Sequence, residues 1–200
     1  MQSLIIPAGL LNPSLGGAFK QVEAGYTSLA FTNGVGSAYI ALAQQYDLTR
    51  HFIELLTAGN LYAASLSYAV TGHALWLDPA NPRAVFRYRG NGSFSREVQW
   101  RLVKTPANLK VRQGCASVVW PAGGNDQIFD VPLSPAVDPA KAHVLPNVAN
   151  GSLSDSTNTA SCYGISWQLL DANTLRIKCH HTTGGPGYTF AIPWTIIYGG

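Results

Sequence analysis

The chain has 200 residues, of which 12% are charged, and a formal net charge of +3. That length accommodates two domains of about 90 residues each. So small a charge gives no argument for a nucleic-acid partner, and no stretch approaches the ~20 apolar residues of a membrane span. Hydrophobic residues at 46%, with 20 Gly and 12 Pro, exclude a disordered chain and a helical bundle. The low charge fits either a compact β-protein with a Ser, Thr and Asn surface or a surface covered by an assembly.

Residues 1–19 form an apolar arm interrupted by Pro7, Pro13 and Gly16-Gly17. Such an arm packs on a neighbour or on its own domain. Its start has neither a basic n-region nor a long apolar core, so it does not read as a signal peptide. The first domain spans 20–105. In it, Tyr46–Ala58 allows a helix with Asp47 as its cap and Phe52, Leu55 and Leu56 inward. The matching later segment contains Pro139 and Pro146, so a shared architecture allows at most one helical turn there. Strands are predicted at Val85–Tyr88 and Phe94–Val103, around the turn Gly90-Asn91-Gly92. Lys104–Asn108 is a short linker.

The second domain spans 106–200. Val111–Trp120 and Gln127–Leu133 are its first strands, and His143–Leu145 begins a third. The polar segment Asn147–Ser161 is a loop. Tyr163–Leu170 follows, and then Leu175–His180 alternates, with Leu175, Ile177 and Cys179 on one face and Arg176, Lys178 and His180 on the other. After the turn Thr182–Gly187, the residues Phe190, Ile192, Trp194, Ile196 and Tyr198 share one face of the last strand.

The chain contains itself twice. Val22-Glu23-Ala24-Gly25 falls on Val111-Arg112-Gln113-Gly114, and Asp47-Leu48-Thr49-Arg50 on Asp138-Pro139-Ala140-Lys141. Later, Leu77-Asp78 falls on Leu170-Asp171, Phe94 on Tyr188, and Trp100 on Trp194. A period this long is a whole domain copied in tandem. The expected fold is all-β: two tandem antiparallel β-sandwiches with Greek-key or jelly-roll connections.

Chemistry is sparse. No GxSxG, HExxH or P-loop is present. Cys179-His180-His181 has metal-binding residue types, but adjacent strand residues point to opposite faces and rarely hold one ion. The recurring carboxylates Asp47/Asp138 and Asp78/Asp171 sit at strand ends, where Asp caps a turn through its side-chain oxygen. Arg50 and Lys141, beside Asp47 and Asp138, suit a local ion pair or a surface contact. No catalytic, metal or cofactor residues are assigned. Cys115, Cys162 and Cys179 all lie in the second copy, in odd number and without CxxC spacing. They read as buried free thiols of a chain made in a reducing cytoplasm.

Two candidate contact regions remain. Arg87 and Arg89 alternate with Phe86 and Tyr88, so they share an outward face. They form either a basic patch for an acidic partner or anionic glycan, or a solvated strand face. The loop Asn147–Ser161, with Asn150, Ser152, Asp155 and Asn158, is the binding-loop candidate by length and composition. Trp120, Tyr163, Trp167 and Tyr188 could stack on sugars, although small domains need most such rings in their cores.

Val111-Arg112-Gln113-Gly114, Phe129-Asp130-Val131-Pro132-Leu133, Val137-Asp138-Pro139-Ala140-Lys141-Ala142 and Leu169-Leu170-Asp171-Ala172-Asn173-Thr174 resemble a module of tailed-bacteriophage virion proteins. The second copy matches over nearly its full length, while the first keeps the outline. The resemblance implies a small β-sandwich displayed on the particle, in a tail fibre, baseplate or head decoration protein, without cofactor or catalytic residues. The expected function is therefore a non-enzymatic virion structural protein, made in the host cytoplasm. Its expected partners are itself, as a homotrimer, and other virion proteins. The alternative is a carbohydrate-binding module for host-surface glycan.

Overall fold

The computed structural model describes residues 19–56, 69–120, 126–146, 148–149, 161–183 and 188–199. The first half supplies β1 (Lys20–Phe31), β2 (Gly34–Ala41), β3 (His51–Leu55), β4 (Ala69–Leu77), β5 (Arg83–Asn91) and β6 (Phe94–Lys104). The second supplies β7 (Leu109–Trp120), β8 (Gln127–Pro132), β9 (Ala142–Pro146), β10 (Val148–Ala149), β11 (Ser161–Asp171), β12 (Thr174–Thr183) and β13 (Tyr188–Gly199). A 3-10 turn, Pro139–Lys141, precedes β9. The sheets are β1-β6-β3 and β10-β4-β5-β2, then β7-β13-β9 and β11-β12-β8, with every pairing antiparallel. Without β10, the second pair of sheets repeats the strand order of the first.

In each half one core draws on both sheets. Leu29, Phe31, Val98, Trp100 and Leu102 of β1 and β6 meet Ile40, Leu75, Ala84, Phe86 and Tyr88 of β2, β4 and β5. In the second half Ile192, Trp194 and Ile196 meet Leu175, Ile177 and Cys179, with Phe129, Ile165 and Trp167 packed against them. The period-2 alternation of β12 thus places Cys179 inside.

The register puts Gly25 opposite Trp100 and Gly114 opposite Trp194. A Cβ on Gly25 would lie 3.2 Å from Trp100 Cζ2, and one on Gly114 would lie 2.7 Å from Trp194 Cζ2. Each indole therefore lies over bare backbone on an edge strand, which is why glycine stands at both positions.

No helix forms over Tyr46–Leu56. Asp47 caps a tight turn instead, with Thr49 N donating to its Oδ1 at 2.8 Å, and β3 follows. Phe52 and Ile53 are each 2% exposed. They point to opposite faces, Ile53 into the first core and Phe52 into a third cluster. Consecutive apolar residues that mimic one side of a helix here serve a strand buried on both sides.

That third cluster is the seam between the halves. Phe52 and Val103 pack with Leu109, Val111, Leu145 and Ile197, and Phe19 covers them, its ring 6.2 Å from that of Phe52. Ala74 and Trp76, on the outward side of β4, join the second core, while β10 pairs with β4 through Val148 and Ala149. Polar contacts tighten the join. Val111 N donates to Thr49 O at 2.7 Å, and Gln113 Nε2 donates to Leu48 O and His51 O at 2.9 and 2.8 Å. Of Arg50 and Lys141, expected in a local ion pair or a surface contact, Lys141 Nζ lies 3.9 Å from Asp138 Oδ2, while Arg50 donates to Thr105 O and Ala107 O of the linker at 3.0 and 3.1 Å.

Burial across the seam explains where the copies diverge. On the covered outer side of β7-β13-β9 lie Leu145, Pro193, Thr195 and Ile197, all buried. The matching positions of β1-β6-β3 are Glu54, Gln99, Arg101 and Val103, and there Arg101 Nε donates to Glu54 Oε2. Thr195→Arg installs the open-face residue in the covered place, where Thr195 is 0% exposed. It should cost at least about 3 kcal/mol in urea denaturation, because the charge is buried without a partner. The reverse change, Arg101→Thr, should cost less, about 1–2 kcal/mol, since Arg101 itself is 35% exposed while Glu54, 16% exposed, loses its partner.

Candidate functional site

All four recurring aspartates behave alike. Asp47, Asp78, Asp138 and Asp171 each accept, through Oδ1, the backbone N–H two residues on, at 2.8, 2.9, 2.9 and 2.7 Å. These are Asx turns. Asp78 does most. Its Oδ2 also accepts from Asn81 Nδ2 at 3.0 Å and Arg83 Nε at 2.7 Å. The Ala80 amide first, and then the Arg83 guanidinium, hold its carboxyl down to about 2. Arg83 in turn lies over the Tyr39 ring, 4.0 Å from its centre. Gln45 Nε2 donates to Asp78 O at 3.1 Å, closing the neighbouring loop onto this turn. The crevice between Leu42, Gln45, Tyr46, Asp78 and Arg83 has no room for a water molecule.

A second slot recurs with its polarity reversed. Glu23 accepts from Ala43 N at 3.2 Å and from Tyr46 Oη at 2.9 Å. At the matching place on β7, Arg112 donates to Pro135 O. Both side chains tie the loop ahead of β3 or β9 to the first strand of their half. Burial, and then the Glu23 carboxylate, push the Tyr46 phenol up.

The basic face of β12 is neutralised from β8. Arg176 makes a two-pronged contact with Asp130, both distances 2.8 Å. Lys178 Nζ and His180 Nδ1 share Asp126 Oδ2 at 3.0 and 3.1 Å. The hydrogen bonds from Arg176 and Lys178 lower Asp130 and Asp126 respectively. His180 and Cys179 lie on opposite faces, as strand geometry requires, and no group of three metal-binding side chains converges among the described residues.

Of the candidate contact residues, Arg87 sits on the outward side of β5 opposite Ala74 and Ser37. It is half-buried and within electrostatic reach of Cys115 across the seam. Arg89 lies opposite Val35 on the same strand, and its side chain is outside the described residues. Asn150, Ser152, Asp155 and Asn158 are also outside them. Cys115 is a free thiol but an exposed one, contrary to the buried thiol expected: it shares the outer face of β7 with Leu109 and Val111 but lies beyond the part that the seam buries. Cys179 is buried. Trp167 packs on the second core, while the side chains of Cys162, Trp120, Tyr163 and Tyr188 lie outside the described residues. Sequence reasoning passed over the outward row Ala24, Tyr26, Ser28 on β1. Its alternation with Gly25, Thr27 and Leu29 was the available signal.

With this geometry in hand, comparison with protein families, curated proteins and solved structures finds no match.

Two measurements follow from these contacts. Asp78 binds fewer protons folded than unfolded, because its folded pKa of about 2 lies below the ordinary 3.8. Its contribution is complete above that ordinary value and is lost as pH falls from about 4 towards about 2. Asp78→Asn should flatten that part of the acid unfolding curve and lower stability at pH 7 in the same titration series.

The other concerns the indoles. Trp100 Nε1 donates to Thr27 Oγ1 at 2.9 Å. Trp194 Nε1 is buried without a partner, because the position matching Thr27 is Ala116. Ala116→Thr should raise stability by about 1 kcal/mol in thermal or urea unfolding, and the gain should vanish when Trp194→Phe is added.

Proposed function

We propose that the chain is a non-enzymatic structural protein of a tailed-bacteriophage virion. In this reading it is a tail-associated (fibre or baseplate) or capsid-decoration component that works by assembly and surface display. The observation that carries the proposal is the joining of two halves of one strand order across an apolar, hydrogen-bonded seam. Each half reads as a six-stranded jelly-roll sandwich, supported by the orders β1-β6-β3 and β4-β5-β2 and by a core that draws on both sheets.

The segments that resemble phage virion modules have structural uses here. Gly25 and Gly114 lie beneath indoles, and Asp138 and Asp171 close turns. This favours a scaffold over a catalyst, since a group committed to folding in both copies is a poor candidate for chemistry in either. Copies of this chain, as a trimer, and other virion proteins are its proposed partners.

Electron cryomicroscopy of purified particles tests the reading. Density for the chain on the shell at threefold or quasi-threefold positions supports decoration, and density at the tail tip supports a fibre or baseplate role. Particles that lack the chain, by mass spectrometry and by density, would sink the proposal.

A further inference from the structure

The turn between β1 and β2 sets Asn33 directly ahead of Gly34. Pairing of β1 with β6 ends at Phe31 and Phe94, and pairing of β2 with β5 begins at Gly34 and Gly90, so Thr32 and Asn33 lie outside both ladders. Tyr88 Oη anchors the turn by accepting from Thr32 N at 3.1 Å. Asn33 itself is exposed. Gly34 has a φ of 93° and nothing within 4 Å of the place where a Cβ would stand.

An asparagine followed by glycine can close a ring on itself. The glycine main-chain nitrogen attacks the side-chain Cγ one residue back, and glycine puts no side chain in the way. The five-membered ring is favoured because both reacting groups belong to neighbouring residues of one chain. Negative charge develops on Oδ1 during the attack. Gly92 N, in the facing β5–β6 turn, already donates to Asn33 Oδ1 at 3.3 Å. It is a donor aimed at the oxygen that takes up the charge.

Sequence alone does not single out this place. Asn91-Gly92 carries the same pair, but Asn91 is a ladder residue of β5, opposite Ala69 of β4, so the strand holds its main chain. Asn150-Gly151 lies outside the described residues.

We propose that Asn33 is a site of spontaneous deamidation, with Gly34 N as the nucleophile and Gly92 N–H as the donor to the developing oxyanion. The bond from Gly34 N to Cγ forms, the Cγ–Nδ2 bond breaks, and ammonia leaves with the proton given up by Gly34 N. Water then opens the succinimide at either carbonyl. Opening at Cγ leaves aspartate, whose carboxylate keeps the contact with Gly92 N–H. Opening at the main-chain carbonyl leaves isoaspartate, whose main chain runs through Cβ and Cγ and is longer by one methylene. That product moves Gly34 from its place opposite Gly90. The site does not rest on a virion role.

The test ages the full chain in neutral and mildly alkaline buffer and follows it by tryptic mapping. The peptide 21–50 holds Asn33 and no other asparagine, and the peptide 90–96 holds Asn91. The first should exchange its amide NH2 for OH at least about threefold faster than the second, because a residue outside a ladder needs no strand opening to reach the attacking geometry. The rate should rise with pH, and isoaspartyl methyltransferase should label the aged 21–50 peptide. Asn33→Gln should remove the fast change, because its ring needs one more atom. In urea, where the fold and the Gly92 contact are gone, the two peptides should change at similar rates. No change in 21–50, an equal or faster change in 90–96, conversion without isoaspartate, or a difference that persists in urea overturns the proposal.

Discussion

An indole lying on a glycine sets the internal geometry of each half. Trp100 and Trp194 are 4% and 7% exposed, and each reaches across to an edge strand whose glycine leaves room for the ring. A domain of about 90 residues has little interior to fill, so one large ring carries a large share of its burial, and truncating such a ring typically costs 3–5 kcal/mol. The contact also sets register. A shift of one residue would place Ala24 or Tyr26, or their counterparts Gln113 or Cys115, opposite the indole and turn each first strand inside out. The neighbouring core residues, Leu29 and Phe31 in one half and Ile192 and Ile196 in the other, are in place because that register holds.

Both halves carry this device, and the join between them goes with the ways in which they differ. Where the second half is covered it carries Leu145, Thr195 and Ile197. Where the first half is open it carries Glu54 and Arg101 in place of the first two. On the other sheet the relation inverts. Ala74 and Trp76 of the first half are drawn into the second core, while the matching face of β11-β12-β8 is laced with Asp130–Arg176 and Asp126–Lys178 pairs. Charge therefore marks the surfaces that the fusion left in water, and apolar residues mark those that it removed.

Much of this was legible in the sequence because it is local or periodic. The alternation of Leu175–His180 gave β12 and its buried side, and the recurrence of Asp47/Asp138 and Asp78/Asp171 gave the turns. Long-range burial was not legible. Phe52-Ile53 and Leu55-Leu56 fit a helical stripe as well as a doubly buried strand, and only the presence of a second domain against Phe52 decides between them. The same limit applies to Arg50. Its neighbour Asp47 suggested an ion pair, yet the carbonyls it holds belong to a linker more than fifty residues away. Cys115 was expected to be buried, and it is exposed because the seam that covers Leu109 and Val111 on the same face of β7 stops short of it. The polar loop at 147–161 and the side chain of Arg89 lie outside the described residues, so the candidate contacts there stand as sequence expectations.

The disposition of the carboxylates bears most directly on what the molecule is for. The chain has ten acidic residues. Asp47, Asp78, Asp138 and Asp171 close turns, Glu23 ties a loop to β1, and Glu54, Asp126 and Asp130 neutralise cations across strands. Asp155 lies outside the described residues. Among the described carboxylates only Glu97 has no bond or ion pair with another described group. Hydrolysis by paired carboxyl groups needs two that face one substrate with separated pKa values, and here the groups that could pair are committed to backbone amides or to arginine and lysine. Eight of the nine described carboxylates thus serve the turns and pairings of the fold itself.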